Sequence, residues 1–262
     1  MKWRREPMVF ADIALARRVE AAEASVARGC ARAGAATLEV AGGCAVFAGA
    51  GSPLTQAVGL GLNGSVSQAD LDSLVDFFRS RGAPLRIDVC PLADAGFLEA
   101  LAARGCRVTE FNNALVMPLA GNEVAPSPRV RPMSPGEEDL WSITVGRGFF
   151  EQARLTPDEI DVGRDITAMP SVECYLAFDG DEAAAGAALA VGDGLATLFA
   201  DSAIARFRRR GLHGELIAAR LAEAAARGCD MATACTQPGS PSQRNYEHVG
   251  FRVIYTKATL VG

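Results

Sequence analysis

One stretch of this chain recurs: Gly105-Cys-Arg-Val-Thr-Glu-Phe-Asn-Asn-Ala-Leu-Val116 aligns without gaps on Gly250-Phe-Arg-Val-Ile-Tyr-Thr-Lys-Ala-Thr-Leu-Val261. Each copy follows a short helix-like segment. Upstream, Arg81-Gly82 leads to Cys90-Pro91 much as Arg227-Gly228 leads to Gln237-Pro238, with one residue more in the second copy. A recurrence in which spacing and expected element agree reads as two copies of one α/β unit in tandem. The 262 residues, 49% of them hydrophobic, suffice for two modest cores.

The periodicity gives each unit its elements. Residues 10 to 33 read as one or two helices. Strand-like runs at Ala36–Val40, Cys44–Ala48 and Thr55–Leu62 follow, separated by Gly-containing turns. Ser67 is an N-cap for a helix to Ser80 with Leu71, Leu74, Val75 and Phe78 on one face. A strand at Leu85–Cys90, a helix at Ala93–Arg104 and a pair of strand-like runs within Arg107–Pro118 complete the first unit. Residues 120 to 129, poor in bulky apolar side chains and carrying two prolines, read as a linker. The expected division is therefore 1–120, a linker at 121–129, and 130–262. After it come a strand at Val130, a helix over Gly136–Phe150, a loop or short helix at Thr156–Asp165, and a hairpin of Val172–Phe178 with Ala183–Val191. Leu195–Ile204 and Asp230–Thr236 are strands, Ser242–Val249 a helix and Arg252–Val261 the final strand.

The richest segment is Leu195–Arg227. It passes from a short apolar strand through an Arg-rich turn with two glycines into an Ala/Leu-rich helix. The first N–H groups of such a helix lack intrahelical partners, and the helix dipole adds partial positive charge there. An anion fits at that end: Gly211 and Gly214 allow close approach, and Arg206, Arg208, Arg209 and Arg210 bring charge. No Gly-Lys-Ser/Thr follows and no G-x-G-x-x-G is present, so neither a nucleotide P-loop nor a dinucleotide turn is indicated.

Arg208-x-x-Gly211-x-His213-Gly214 resembles the acyl-CoA pyrophosphate loop of the GNAT superfamily of N-acyltransferases, with His213 where a second small residue is usual and Gly214 one position later. Asn245-Tyr246-Glu-His-Val-Gly250-Phe251 resembles that family's late helix and Gly-Phe turn. The resemblance covers Val130 to Val261 and implies an α/β fold of two tandem GNAT-like units. Each would be a mixed, mostly antiparallel twisted sheet with helices on both faces. It implies acetyl-CoA as acyl donor, held by Arg208, Arg209, Arg210, Gly211, Leu212, His213, Gly214 and Asn245, and by backbone groups of Ser202, Ala203 and Ile204 on a strand that splays from its neighbour. Tyr246 would protonate the departing thiolate. Phe149, Phe150 and Glu151 stand where the family's substrate-covering segment lies, and Asp201 and Glu173 are the carboxylates nearest for a general base. Each has a plainer reading: Tyr246 and the Phe pair as packed aromatics, the arginines as a solvated basic face. The first unit has no basic residue in Gly61-Leu-Asn-Gly-Ser-Val-Ser67 and carries Leu101 where Tyr246 would align. A scaffold or substrate wall is the role expected of it.

Net charge is −5, so the arginine run is local, and a nucleic-acid binder would more often show a basic excess. The seven cysteines are odd in number and form no C-x-x-C pair, which fits reduced thiols in a cytoplasmic protein rather than disulfides or metal ligands. No run approaches the length of a membrane span. The expected activity is acetyl transfer to a primary amine of a small molecule, amino acid or peptide by direct attack. The alternative is a non-catalytic acyl-CoA sensor.

Overall fold

Alternation along the strands and stripes along the helices build the protein. Its computed structural model describes residues 10–30, 35–119 and 127–262. The first half comprises α1 (Ile13–Arg28), β1 (Ala36–Val40), β2 (Gly43–Phe47), β3 (Gln56–Val58), α2 (Gln68–Arg79), β4 (Arg86–Val89), α3 (Ala95–Ala103) and β5 (Arg107–Pro118). The second comprises β6 (Val130–Pro132), α4 (Glu138–Phe149), α5 (Pro157–Thr167), β7 (Val172–Asp179), β8 (Glu182–Gly192), β9 (Leu195–Ala203), α6 (Leu212–Ala226), β10 (Met231–Thr236), α7 (Pro241–Val249) and β11 (Arg252–Val261).

All strands join one 11-stranded sheet of order β1-β2-β3-β4-β11-β5-β10-β9-β8-β7-β6. The pairs β3–β4 and β9–β10 are parallel and the rest antiparallel. The recurring segments form its seam: β5 and β11 pair with each other, Arg107 opposite Val261 and Val116 opposite Arg252. Outward from this pair β4-β3-β2-β1 and β10-β9-β8-β7 repeat the same sequence of neighbours, and β6 extends the second half by one strand. The last strands are exchanged, because β11 lies against β4 of the first half and β5 against β10 of the second. This explains why Arg107–Pro118 is one continuous strand and not two runs: β11 pairs along nearly its whole length and β10 along its second part.

Residues that alternate along the strands divide the helices between two faces. On one, Cys44, Val46, Leu176 and Ala188 meet α1, α4 and α5 through Ala24, Trp141, Val145 and Ile166, and Ala114 and Val116 meet Ala16 and Val19 of α1. On the other, Ala45 and Ile87 pack on α2 and α3, while Leu189, Leu198 and Leu115 pack on α6. Trp141 closes the first layer, its indole N–H donating to the carbonyls of Tyr175 and Ala187 at 3.1 and 3.3 Å.

Local chemistry sets the bounds of two elements. The run at Thr55–Leu62 is a strand only over Gln56–Val58, since Gly59 and Gly61 turn the chain at φ 75° and 73°. Of the loop or short helix expected at Thr156–Asp165 the helix forms, as α5, because Thr156 and Glu159 make a reciprocal capping box around Pro157. Of the linker, residues 120–126 lie outside the described residues, as do 31–33 of the first expected helix.

Candidate active site

Strands β9 and β10 run parallel only from Leu195 with Met231 to Leu198 with Ala234. Beyond that point β10 continues along β5 to Thr236, while β9 turns away on a bulge at which Ala200 takes φ 55° and the register with β8 shifts. The result is the splay that the resemblance implies. At its mouth β9 gives way to a short turn, Ala205–Phe207, and then to α6.

Gly211 caps α6 at φ 84° and brings no capping side chain to its first turn. A Cβ there would lie 3.5 Å from the Glu215 carboxylate and 3.7 Å from the Arg129 guanidinium, in a conformation that L side chains resist. The arginines around this end are balanced by acids. Arg206 pairs with Glu182, Arg208 with Glu151, Arg210 with Asp179, and Arg129 with Glu215. Arg209 is exposed at φ 63° and has no ion-pair partner among the described residues. Pairs as exposed as these are worth little individually, so an incoming phosphate can replace the carboxylates at small cost. The cradle therefore fits a diphosphate. Arg208 also donates to the carbonyls of Ala203 and Gly148 at 3.1 and 3.0 Å, tying β9 to the end of α4.

Behind the loop lies a buried polar network. The Tyr246 hydroxyl, on a side chain 1% exposed, donates to Asp201 Oδ2 at 2.8 Å. Arg220, fully buried, makes a two-pronged ion pair with the same carboxylate and donates to the Leu216 and Ala188 carbonyls, both at 3.0 Å. His213 Nε2 lies 3.1 Å from Asp201 Oδ1, and Asn245 Nδ2 lies 2.8 Å from His213 Nδ1. An ionised Asp201 only accepts, which puts the imidazole proton on Nε2 and leaves Nδ1 to accept from Asn245. Burial works against the Asp201 charge, but Arg220 and His213 outweigh it and hold its pKa well below the usual carboxylate range. Burial and the adjacent carboxylate push the Tyr246 phenol well above its ordinary value, so it keeps its proton. The Tyr246 ring packs edge-on against His213 and Phe251, at 5.5 and 4.9 Å between centroids.

The structure thus gathers Arg208–Gly214, Asp201, Asn245 and Tyr246 at one end of α6. Ser202 is adjacent, but its hydroxyl donates to the Val145 carbonyl at 2.8 Å, and the Ile204 N–H donates to the Ala184 carbonyl at 3.0 Å. Phe149 and Phe150 stack edge-to-face at the end of α4, with Phe149 61% exposed. Glu173 lies elsewhere: it accepts from Tyr175 and from Arg227 past the far end of α6, roughly 22 Å from Gly211 by helical rise. Sequence reasoning missed Arg220, although its place on the stripe of Leu216, Ile217, Leu221 and Ala224 marked a charge that had to be paired. It also missed Thr236, whose buried hydroxyl has no partner where β10 leaves β9.

No protein-family model matches this sequence, and no curated protein does. Among solved structures, a GCN5-related N-acetyltransferase from Kribbella flavida superposes with a TM-score of 0.68 at 17% identity, over 94% of this chain and 95% of that one. A tandem GNAT protein from the clavulanic acid biosynthesis pathway superposes at 0.61 and 14% identity, over 97% and 96%. The fold is that of a tandem GNAT protein. A GCN5-related N-acetyltransferase from Sphaerobacter thermophilus matches at 0.52 and 12% identity, over 70% and 62%. Identities this low carry the tandem GNAT fold alone. Within that fold, the helix with a glycine at its N-cap belongs to the second half, and among the described residues no helix is long and apolar enough to cross a membrane.

Proposed function

We propose that the second half is an acetyl-CoA-dependent N-acyltransferase acting on a primary amine. The observation that supports this most is the Gly-capped N-terminus of α6, opening on the gap between β9 and β10 with Tyr246 behind it. Acetyl-CoA would supply the acyl group as an activated thioester. The N–H groups of the first turn of α6 and Arg209 would hold the diphosphate, with Arg208 and Arg210 released to it from their acids. The gap orients thioester and amine, and orientation accounts for much of the rate in direct transfer. Tyr246 remains protonated and would donate to the leaving sulfur by turning its hydroxyl from Asp201, which Arg220 and His213 keep ionised without it. Free cysteines, six buried and one exposed, fit a reducing cytoplasm. The division at 121–129 describes the repeat in the sequence, across which the sheet is continuous.

One observation favours a second reading, a non-catalytic acyl-CoA sensor: the Tyr246 hydroxyl is committed to Asp201, and Asp201 to Arg220. Thiol release from acetyl-CoA across an amine panel, with calorimetry of CoA binding, separates the two. Turnover with any amine supports the enzyme; tight binding without turnover supports the sensor. In the enzyme, Tyr246→Phe should lower turnover on the order of 10²-fold or more with CoA affinity unchanged. Turnover close to wild type would remove Tyr246 from the chemistry.

A further inference from the structure

At the end of β9 away from the gap, α1 stands off the sheet. The residues it turns toward β8 and β9 are Arg18, Ala21, Ala22, Ser25 and Val26, one stripe at helical spacing, and three of these five are alanine or serine. Side chains this short leave a cavity of about 130 Å³ between helix and strands. Ala190, Leu195 and Thr197, all buried, form its floor. Ser171, Gly192 and Asp193 stand at its exposed mouth.

Thr197 is the residue that calls for a guest. Leu195 packs with Ala16 and Val19 of α1, while Ala196 and Leu198 pack beneath α6, so alternation sends the Thr197 side chain toward α1 and into the cavity. Thr197 is 7% exposed, and its hydroxyl has no hydrogen-bond partner among the described residues. A hydroxyl on the floor of an otherwise apolar cavity needs one. The charges nearby are already spent. Arg18 donates from Nη1 to Asp230 at 2.8 Å and from Nη2 to the Asp193 carbonyl at 3.2 Å. Asp193, the one acid in the lining, is exposed. An anion would find no uncompensated cation here and a cation no buried carboxylate, so desolvation disfavours both.

We propose that this cavity binds a compact neutral molecule of about six heavy atoms, whose one hydrogen-bonding end is received by the Thr197 hydroxyl. The volume sets the size, since an apolar cavity of about 150 Å³ takes benzene. Ala21, Ala22, Val26 and Leu195 wall the apolar body of the guest. The guest touches α1 of the first half and β8 and β9 of the second, and so adds to the contact between them. It sits on the strand that reaches the gap at Asp201, about 13 Å further along. The site stands whether or not the gap takes acetyl-CoA.

Methyl-detected NMR of the full chain, labelled in Ala, Val, Leu and Thr, reads the cavity directly. The probe is n-butyramide, with butyrate and n-butylammonium as charged counterparts of nearly equal size. Butyramide should shift the methyl signals of Ala21, Ala22, Val26, Leu195 and Thr197 saturably, and each ion should need a concentration at least about tenfold higher. Thr197→Val keeps the shape of the floor and removes the hydroxyl, so it should weaken butyramide by about threefold to tenfold, the range of one neutral hydrogen bond. Because that hydroxyl has no partner in the protein, the variant should melt no lower than the wild type. If it does not fold, Ser25→Leu takes its place: Ser25 is exposed at the mouth, and a leucine there should block entry. The absence of a saturable shift in the wild type would leave the cavity to water and overturn the proposal. Equal affinity for either ion, or butyramide affinity undiminished in the folded variant, would overturn it as well.

Discussion

Helices α2 and α6 each open beneath a glycine-containing loop at equivalent positions in the two halves, and their first turns are opposites. At α2 the Ser67 hydroxyl accepts from the Asp70 N–H at 3.1 Å, and the Asp70 carboxylate accepts from the Ser67 N–H at 2.9 Å. The anion that this end attracts is therefore already covalently present. At α6 Gly211 offers no side chain, and the nearest acid, Glu215, is drawn aside by Arg129 and Ser127. The internal cap thus occupies the end of α2, while the corresponding end of α6 stays open. The position of Tyr246 repeats the lesson: in the first half Leu101 fills it, fully buried, and needs no partner.

The sharpest test of this contrast is Arg220, since α2 buries only apolar side chains along its stripe. Arg220→Met leaves Asp201 buried with its strongest partner gone and should cost about 3–5 kcal/mol in urea unfolding. A loss under about 1 kcal/mol would mean that the network closes without it. Next in size is pH dependence, where the buried acids pull in opposite directions. Burial raises the Glu20 pKa to about 7. A raised carboxyl contributes stability that is complete below its unfolded pKa, near 4.5, and lost as pH rises through about 7. Replacing it as Glu20→Gln should make the protein gain on wild type by on the order of 1–3 kcal/mol between about pH 5 and 8. Asp201, with its depressed pKa, contributes above the unfolded value and loses that contribution as pH falls, so Asp201→Asn should flatten the acid limb instead. Parallel profiles for the two variants would contradict both assignments.

Smaller effects separate the two helix ends. Gly211→Glu should weaken CoA at least about tenfold, equivalent to about 1.4 kcal/mol, by placing a Cβ and a negative charge in the cradle. Ser67→Ala should cost about 1 kcal/mol of stability through the lost cap while leaving CoA affinity and its stoichiometry of one site per chain unchanged. Two equivalent CoA sites by calorimetry would erase the distinction between the halves.

Much of this is legible in the sequence because local chemistry decides it. Ser67 announces its cap, the alternation at Ala36–Val40 its strand, and Gly211 the open helix end. The capping box of Thr156 and Glu159 is equally local, and its spacing decides between the loop and the short helix expected there. Pairings between residues far apart in the chain cannot be read this way. Nothing local says that Lys257 meets Glu20 and Glu23 across the molecule, or that Asp201 takes its partners from α6 and α7 together. The recurring segment discloses the duplication, but a strand's own pattern does not name its neighbour, and the exchange of β5 and β11 follows from pairing that only the folded sheet displays.

That exchange has a consequence during synthesis. A strand made early, β5, waits for β11, and a bond such as that from Thr109 to the carbonyl of Thr259 spans 150 residues. At ribosomal speeds of about 5–20 residues per second the edges of β4 and β5 stay open for roughly 8–30 s, long enough for most elementary folding events to finish around them. The nascent first half is thus an unclosed sheet whose exposed edges need protection from other chains, and its completion is an act of the second half's arrival.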